Sequence, residues 1–214
     1  SIEWVAVFVA ATAAGFVAVP MNSWWTGKEM VYGLNDSGAK VLFADAERLR
    51  RINADKAQLK TCRVLVSLDE ADFARTVLSA KPHQLWNRPQ PPVGVDEAAV
   101  LMYTSGTTAN AKGVVLTHRG VAHAVIVNGL ANVMLGLMNP AAAAAPKSVL
   151  LTVPLFHVTG LHVVLLASFV MGRKVVIMSK WNPEHALELV ERERITTFTG
   201  VPTMVQQMLA SPDL

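Results

Sequence analysis

Residues 148–200 read SVLLTVPLFHVTGLHVVLLASFVMGRKVVIMSKWNPEHALELVERERITTFTG. Residues 148–153, 174–178 and 195–199 are short runs of strand character. Between the first two, residues 160–171 read as an apolar helix. Before the third, Asn182-Pro183-Glu184 is a helix start, with Asn as N-cap, Pro at the first position and an acid in the first turn. Strand, helix, strand, helix, strand predicts βαβ units and a largely parallel sheet. Parallel strands are covered on both faces and so read as continuous apolar runs.

The pattern continues outward. Residues 98–104 and 113–116 read as strands joined by a Gly/Thr-rich loop, and Thr117 can cap a helix to about residue 137. Residues 140–146 are a loop of low complexity, and a last helix starts near Pro202. Toward the N-terminus, residues 2–15 form an apolar helix. Thr26-Gly27-Lys28-Glu29 is a capping box opening a helix to residue 36, which Ser37-Gly38 stops. Strands at 40–44 and 63–67 flank a charged helix at 46–59. Pro82, Pro89, Pro91 and Pro92 mark a linker. The predicted fold is α/β: a partial doubly wound, mainly parallel sheet with helices on both faces. It divides into a first βα part (1–80), a Pro-rich linker (81–97) and a part carrying the Gly/Thr-rich loop (98–214).

Composition narrows the function. The 214 residues are 52% hydrophobic and 16% charged, against about 25% charged on average, which excludes disorder. The net charge of +3 comes from scattered side chains and argues against a nucleic-acid partner. Arg48, Arg50 and Arg51 form the densest basic cluster, read as a solvated helix face. Cys62 is the single cysteine, so no internal disulfide or cysteine-built zinc site exists, and a cytoplasmic location is expected. Cys62 reads as an inert strand-edge residue.

Residues 4–27, 120–146 and 148–172 lack Asp, Glu, Lys and Arg, and a bilayer span takes about 20 residues. Pro20 breaks the first, His123, Asn128, Asn132 and Asn139 interrupt the second, and Pro154, His157, Thr159, Gly160 and His162 split the third. A buried parallel sheet explains the greasy composition without a bilayer; an integral membrane protein is the alternative. The opening Ser1-Ile2-Glu3 lacks the positive start of a signal peptide. It leads straight into a helical pattern, as expected of a chain cut at its front.

Chemistry concentrates in residues 103–118, YTSGTTANAKGVVLTH. Thr104, Ser105, Gly106, Thr107 and Thr108 combine hydroxyls with a small-residue backbone that can approach an anion closely. Lys112, followed by Gly113, adds a positive charge. The residues fit a triphosphate-binding loop, or equally a Thr/Ser/Gly-rich hairpin turn with no ligand. A Walker A loop is excluded, because Gly does not precede Lys112 and Ser or Thr does not follow it. His157 sits past the 148–153 strand, at the edge where open α/β sheets bind ligands; the alternative is a loop histidine bonded to backbone. His118, His123 and His162 read as structural, and Trp24 and Trp25 as packing residues. Met134, Met138, Met171, Met204 and Met208 read as ordinary core rather than the lining of an acyl tunnel.

The loop resembles the phosphate-binding signature of the adenylate-forming (AMP-binding) superfamily, close to TSGTTGxPKG, on Ser105, Gly106, Thr107, Thr108, Lys112 and Gly113. That superfamily includes acyl-CoA synthetases, firefly luciferases and peptide-synthetase adenylation domains. VPLFHVTGL (153–161), TTFTGVPTM (196–204) and the opening segment 2–45 are similar to further stretches of acyl-CoA synthetases, with a long- or medium-chain fatty-acid–CoA ligase as the closest flavour. The resemblance implies an ATP-dependent ligase that adenylates a carboxylic acid and passes the acyl group to CoA. Thr104, Ser105, Gly106, Thr107, Thr108, Lys112 and Gly113 would serve the β,γ-phosphates. His157 would position the carboxylate, and Gly200, Val201 and Pro202 would border the acyl pocket. The family's magnesium-holding Glu, adenylating Lys and C-terminal domain match nothing here. The expectation is therefore an N-terminal-domain fragment, inactive alone, which self-associates as a homodimer or touches a membrane peripherally; a catalytically inactive nucleotide-binding remnant or interaction module is the alternative. Ala109 replaces a family Gly, which costs about 1 kcal/mol if the backbone there is left-handed. Ala111 replaces a Pro and loosens the free loop by roughly 0.4–1 kcal/mol.

Overall fold

The computed structural model describes residues 1–74, 92–104, 110–138 and 147–212. The predicted linker up to residue 91, the low-complexity loop and the loop apex Ser105, Gly106, Thr107, Thr108 and Ala109 lie outside the described residues. The chain forms two compact units, Ser1–His118 and Arg119–Leu214.

In the first unit, α1 (Ile2–Ala13) is followed by α2 (Gly27–Asp36). The capping box forms as predicted. The Thr26 amide donates to the Glu29 carboxylate at 2.7 Å, and these bonds to Thr26 hold the Glu29 carboxyl below the usual carboxylate range. Gly27 admits the neighbouring chain closely: a Cβ there would sit 2.4 Å from the Arg51 carbonyl oxygen. Strands β1 (Val41–Ala44) and β2 (Val64–Ser67) pair in parallel. The helix expected over 46–59 stops earlier, as α3 (Ala46–Asn53), followed by a 3₁₀ turn at Lys56–Gln58. Asn53 and Asp55 are weak helix formers. Asn35 also captures the chain beyond them, donating to the Gln58 carbonyl at 3.0 Å and accepting from the Lys60 amide at 2.8 Å.

Met30, Val31 and Leu34 of α2 pack on Leu42, Ala44, Ile52 and Cys62. Cys62 is therefore a core residue and not a strand-edge one; burial pushes its thiol up and keeps it protonated. The adjacent tryptophans differ. Trp25 packs edge-on to Tyr103, with ring centroids 5.3 Å apart, whereas Trp24 is 67% exposed, against the packing role expected of it. Short α4 (Glu70–Phe73) precedes a hairpin of β3 (Ala98–Tyr103) and β4 (Gly113–Thr117). This pair is antiparallel, as a short connection requires. Ala18 adds one parallel bridge to β3.

The second unit is built on β5 (Ser148–Leu151), β6 (Lys174–Ile177) and β7 (Thr197–Thr199), all parallel, in the order β6-β5-β7. A π-helix, Thr159–Leu166, runs into α6 (Ala167–Val170) between β5 and β6; α7 (Pro183–Arg192) joins β6 to β7, and α8 (Pro202–Leu209) follows. The two crossovers run in opposite directions along the sheet. Because such crossovers are right-handed, their helices lie on opposite faces, and the winding reverses at β5. All four β5 residues are buried, so both faces of the strand are covered. Leu150 packs with Met178, Ala186 and Leu189. The α7 start is the predicted one: Asn182 accepts from the His185 amide at 2.7 Å, with Pro183 in the first turn.

Between the hairpin and β5 lies α5 (His118–Met138), 21 residues long, with Val125 its single buried residue. Asn132 accepts from the Arg173 guanidinium at 2.8 Å. On the other side Ile126, Val127, Leu130, Val133, Met134, Leu137 and Met138 form an exposed stripe. Met134 and Met138 are thus surface residues, against the core reading; Met204 and Met208 are half-buried. Among the described residues α5 alone has the length and apolar composition to cross a membrane. The two other charge-free stretches are a 12-residue helix and a strand followed by a short helix.

Candidate functional site

The predicted site residues that the structure describes fall in two places. The first is the base of the hairpin. Tyr103 pairs with Gly113, and the next residue, Thr104, donates its amide to the Lys112 carbonyl at 2.9 Å. Thr104, Lys112 and Gly113 therefore meet where the loop leaves and re-enters the sheet, with all three exposed. Beneath this base lies α2. The Tyr32 hydroxyl donates to the Ala111 carbonyl at 3.1 Å, and the Tyr103 hydroxyl donates to the Asp36 carboxylate at 2.7 Å. Burial and the Asp36 bond push the Tyr103 phenol well above its usual range, so it stays a donor. A cleft of about 200 Å³ opens here, lined by Trp25, Lys28, Glu29, Tyr32, Asn110 and Ala111.

The second place is the C-terminal edge of the β6-β5-β7 sheet. Leu151 pairs with Thr199, so the segments leaving β5 and β7 start side by side. The Thr152 hydroxyl ties them, donating to the Thr199 carbonyl at 3.3 Å. His157 is exposed, with its ring 4.8 Å from Phe156. Its amide donates to the Pro154 carbonyl at 3.2 Å, and its own carbonyl accepts from Leu161 at the start of the π-helix. Gly160 makes this turn possible, because a Cβ would sit 2.3 Å from the Pro154 carbonyl oxygen. Gly200 is equally constrained, with Phe198 2.4 Å from a would-be Cβ. Val201 caps α8 and Pro202 opens it. This edge, beside the strand where the winding reverses, is where open α/β sheets place ligands.

Among the described residues, His162 and His118 each bury an Nε2 with no hydrogen-bond partner, whereas His123 is exposed. Burial pushes the His162 imidazole down, so it is held neutral. Among the described residues no three His, Cys, Asp or Glu side chains converge to hold a metal. Sequence reasoning passed over Tyr32, Tyr103 and Asp36. Tyr32 and Tyr103 are the chain's two tyrosines, but nothing local links them to a loop 79 residues from the first.

The chain matches the family described as AMP-binding enzyme over residues 1–214. The chain belongs to that family. This AMP-binding chain is 36% identical to a feruloyl-CoA synthase of Amycolatopsis sp, over 93% of its own length and 36% of that protein's. A solved fatty acyl CoA synthetase of Mycobacterium tuberculosis superposes with a TM-score of 0.80 at 26% identity, over 100% of this chain and 39% of that one. ATP-bound MatB from Rhodopseudomonas palustris superposes at 0.73 with 27% identity, over 100% and 40%. The chain thus spans less than half the length of these relatives.

Proposed function

We propose that this chain is the nucleotide-facing part of an ATP-dependent, AMP-forming fatty acid–CoA ligase, of cytoplasmic location. The observation that carries the reading is the hairpin base, where the Thr104 amide is bonded to the Lys112 carbonyl, in a chain that matches the AMP-binding family. In the proposed reaction, a carboxylate attacks the α-phosphate of ATP, giving an acyl-adenylate and pyrophosphate. The CoA thiol then attacks the acyl carbon and AMP leaves. Such chemistry needs fixed donors and positive charge where negative charge builds up on phosphate oxygens. Thr104, Ser105, Gly106, Thr107, Thr108, Lys112 and Gly113 supply them toward the β,γ-phosphates. His157 orients the carboxylate, and Gly200, Val201 and Pro202 form part of the acyl wall. Magnesium, when bound, neutralises phosphate charge; its protein ligands are not among these residues.

A second reading has one specific support: the feruloyl-CoA synthase relative is named for an aromatic acid. Saturation-transfer NMR with octanoate and ferulate decides between them, and His157→Ala should weaken whichever acid binds. By calorimetry, the chain should bind ATP or pyrophosphate at about millimolar strength, near −4 kcal/mol. Lys112→Ala should weaken that by roughly 1–3 kcal/mol by removing a charge-assisted bond. Equal binding by wild type and Lys112→Ala overturns the proposal. ATP–pyrophosphate exchange by this chain alone should stay at background; clear turnover would sink the reading of it as an incomplete enzyme.

A further inference from the structure

We propose that Tyr32 and Tyr103 are positioning residues: their hydroxyls fix the two limbs of the hairpin loop to α2 and thereby orient Thr104 and Lys112 toward phosphate. The proposal rests on the nucleotide reading above and deepens it. Tyr103 immediately precedes Thr104 and donates to Asp36 at 2.7 Å. Ala111 immediately precedes Lys112, and its carbonyl accepts from Tyr32 at 3.1 Å. Each tether therefore holds the residue next to one proposed phosphate ligand. The limbs are joined to each other by the bond from the Thr104 amide to the Lys112 carbonyl.

The tethers share one support. Tyr32 and Tyr103 meet edge-on at 6.5 Å, and Trp25 meets Tyr103 at 5.3 Å. Gly33 makes room for this aromatic wedge, since a Cβ there would lie 2.6 Å from the Trp25 ring. The need for the tether is clearest at Ala111. An alanine leaves its own backbone torsions free, so the peptide joining it to Lys112 can swing unless its carbonyl is held. A held carbonyl fixes the direction in which Lys112 leaves the backbone. Charge-assisted bonds to phosphate depend on that direction, so loosening the peptide weakens binding without touching the ligand.

Phe in place of either tyrosine keeps the ring and removes only the hydroxyl. Wild type, Tyr32→Phe, Tyr103→Phe and Lys112→Ala are compared in the full 214-residue chain. Two quantities are read: pyrophosphate affinity by calorimetry, and amide hydrogen exchange at Thr104 and at residues 110–113 in the ligand-free protein. Tyr32→Phe should speed exchange at Lys112 and weaken pyrophosphate binding about fivefold, the size of one ordinary hydrogen bond. Tyr103→Phe should do the same at Thr104 and is an independent test should Tyr32→Phe fail to fold. If Lys112→Ala weakens binding while both Phe variants bind and exchange like wild type, the tethers do not position the loop. Faster exchange with unchanged affinity overturns the proposal equally. If wild type and Lys112→Ala bind alike, the nucleotide reading fails; unchanged exchange in the Phe variants would then remove the tethers as well.

Discussion

Strand β5, and helix α5 from Gly120 onward, lie in stretches without Asp, Glu, Lys or Arg, yet they end in opposite environments. All four β5 residues are buried, whereas the 21 residues of α5 bury only Val125. The strand has partners in the sheet plane on both sides and cover on both faces. The helix is held along one line, by Val125 and by the Asn132–Arg173 bond, and shows its apolar stripe to the outside. Apolar character sets the reward for burial, while topology decides which segment collects it.

The sharpest way to break the contrast is to truncate Leu150, which is fully buried against Ala186 and Leu189. Leu150→Ala should destabilise the fold by about 2–5 kcal/mol through lost transfer energy and a residual cavity. Chemical denaturation with a change below about 1 kcal/mol would mean that this strand is not the centre of its unit. Gly160→Ala tests the turn that follows β5. The new Cβ would press on the Pro154 carbonyl, and overpacking of this kind costs about 1–3 kcal/mol. Because the same turn carries His157, this variant should also lose acid binding.

Much of this architecture was legible because its signals are local. The Thr26 capping box and the Asn182-Pro183 start each announce a helix within four residues, and three apolar runs announced β5, β6 and β7. The position of His157 at a sheet edge follows from the same pattern, since a residue just past a parallel strand must lie there. What escaped the reading depends on distant partners. The bond from Tyr103 to Asp36 spans 67 residues and the one from Tyr32 to Ala111 spans 79, so no window shows either. Met134 and Met138 read as core because apolar helices usually are; their exposure depends on what lies beside α5, which no property of the helix encodes. The early end of α3 depends on Asn35 gripping Gln58 and Lys60 from another helix.

A smaller effect comes from His162, on the π-helix that covers β5. Its imidazole is buried, and burial pushes its pKa below the unfolded value. The folded state therefore binds fewer protons than the unfolded one below about pH 6.5. Stability from the neutral imidazole is fully present above that pH and is lost as pH falls toward the depressed folded value. Melting temperature should drop more between pH 7.5 and 5.5 in wild type than in His162→Leu, which cannot titrate. Parallel curves for the two proteins would show that His162 is reached by water.

The smallest expected effect on folding lies on α5. Leu130 sits in the middle of the stripe and is 58% exposed, so Leu130→Lys removes little burial. Stability should change by no more than about 0.5 kcal/mol, as for an ordinary surface substitution. Self-association should change far more. The stripe is apolar over two full turns, and one Lys in its centre puts a hydrated charge where a second stripe would have to pack. Sedimentation velocity on the 214-residue chain should show wild type associating with rising concentration and Leu130→Lys shifted toward monomer. If both sediment alike, the stripe is not the surface through which the chain associates. If Leu130→Lys instead melts several degrees lower, α5 is packed more like β5 than its exposure indicates, and the contrast between the two elements fails.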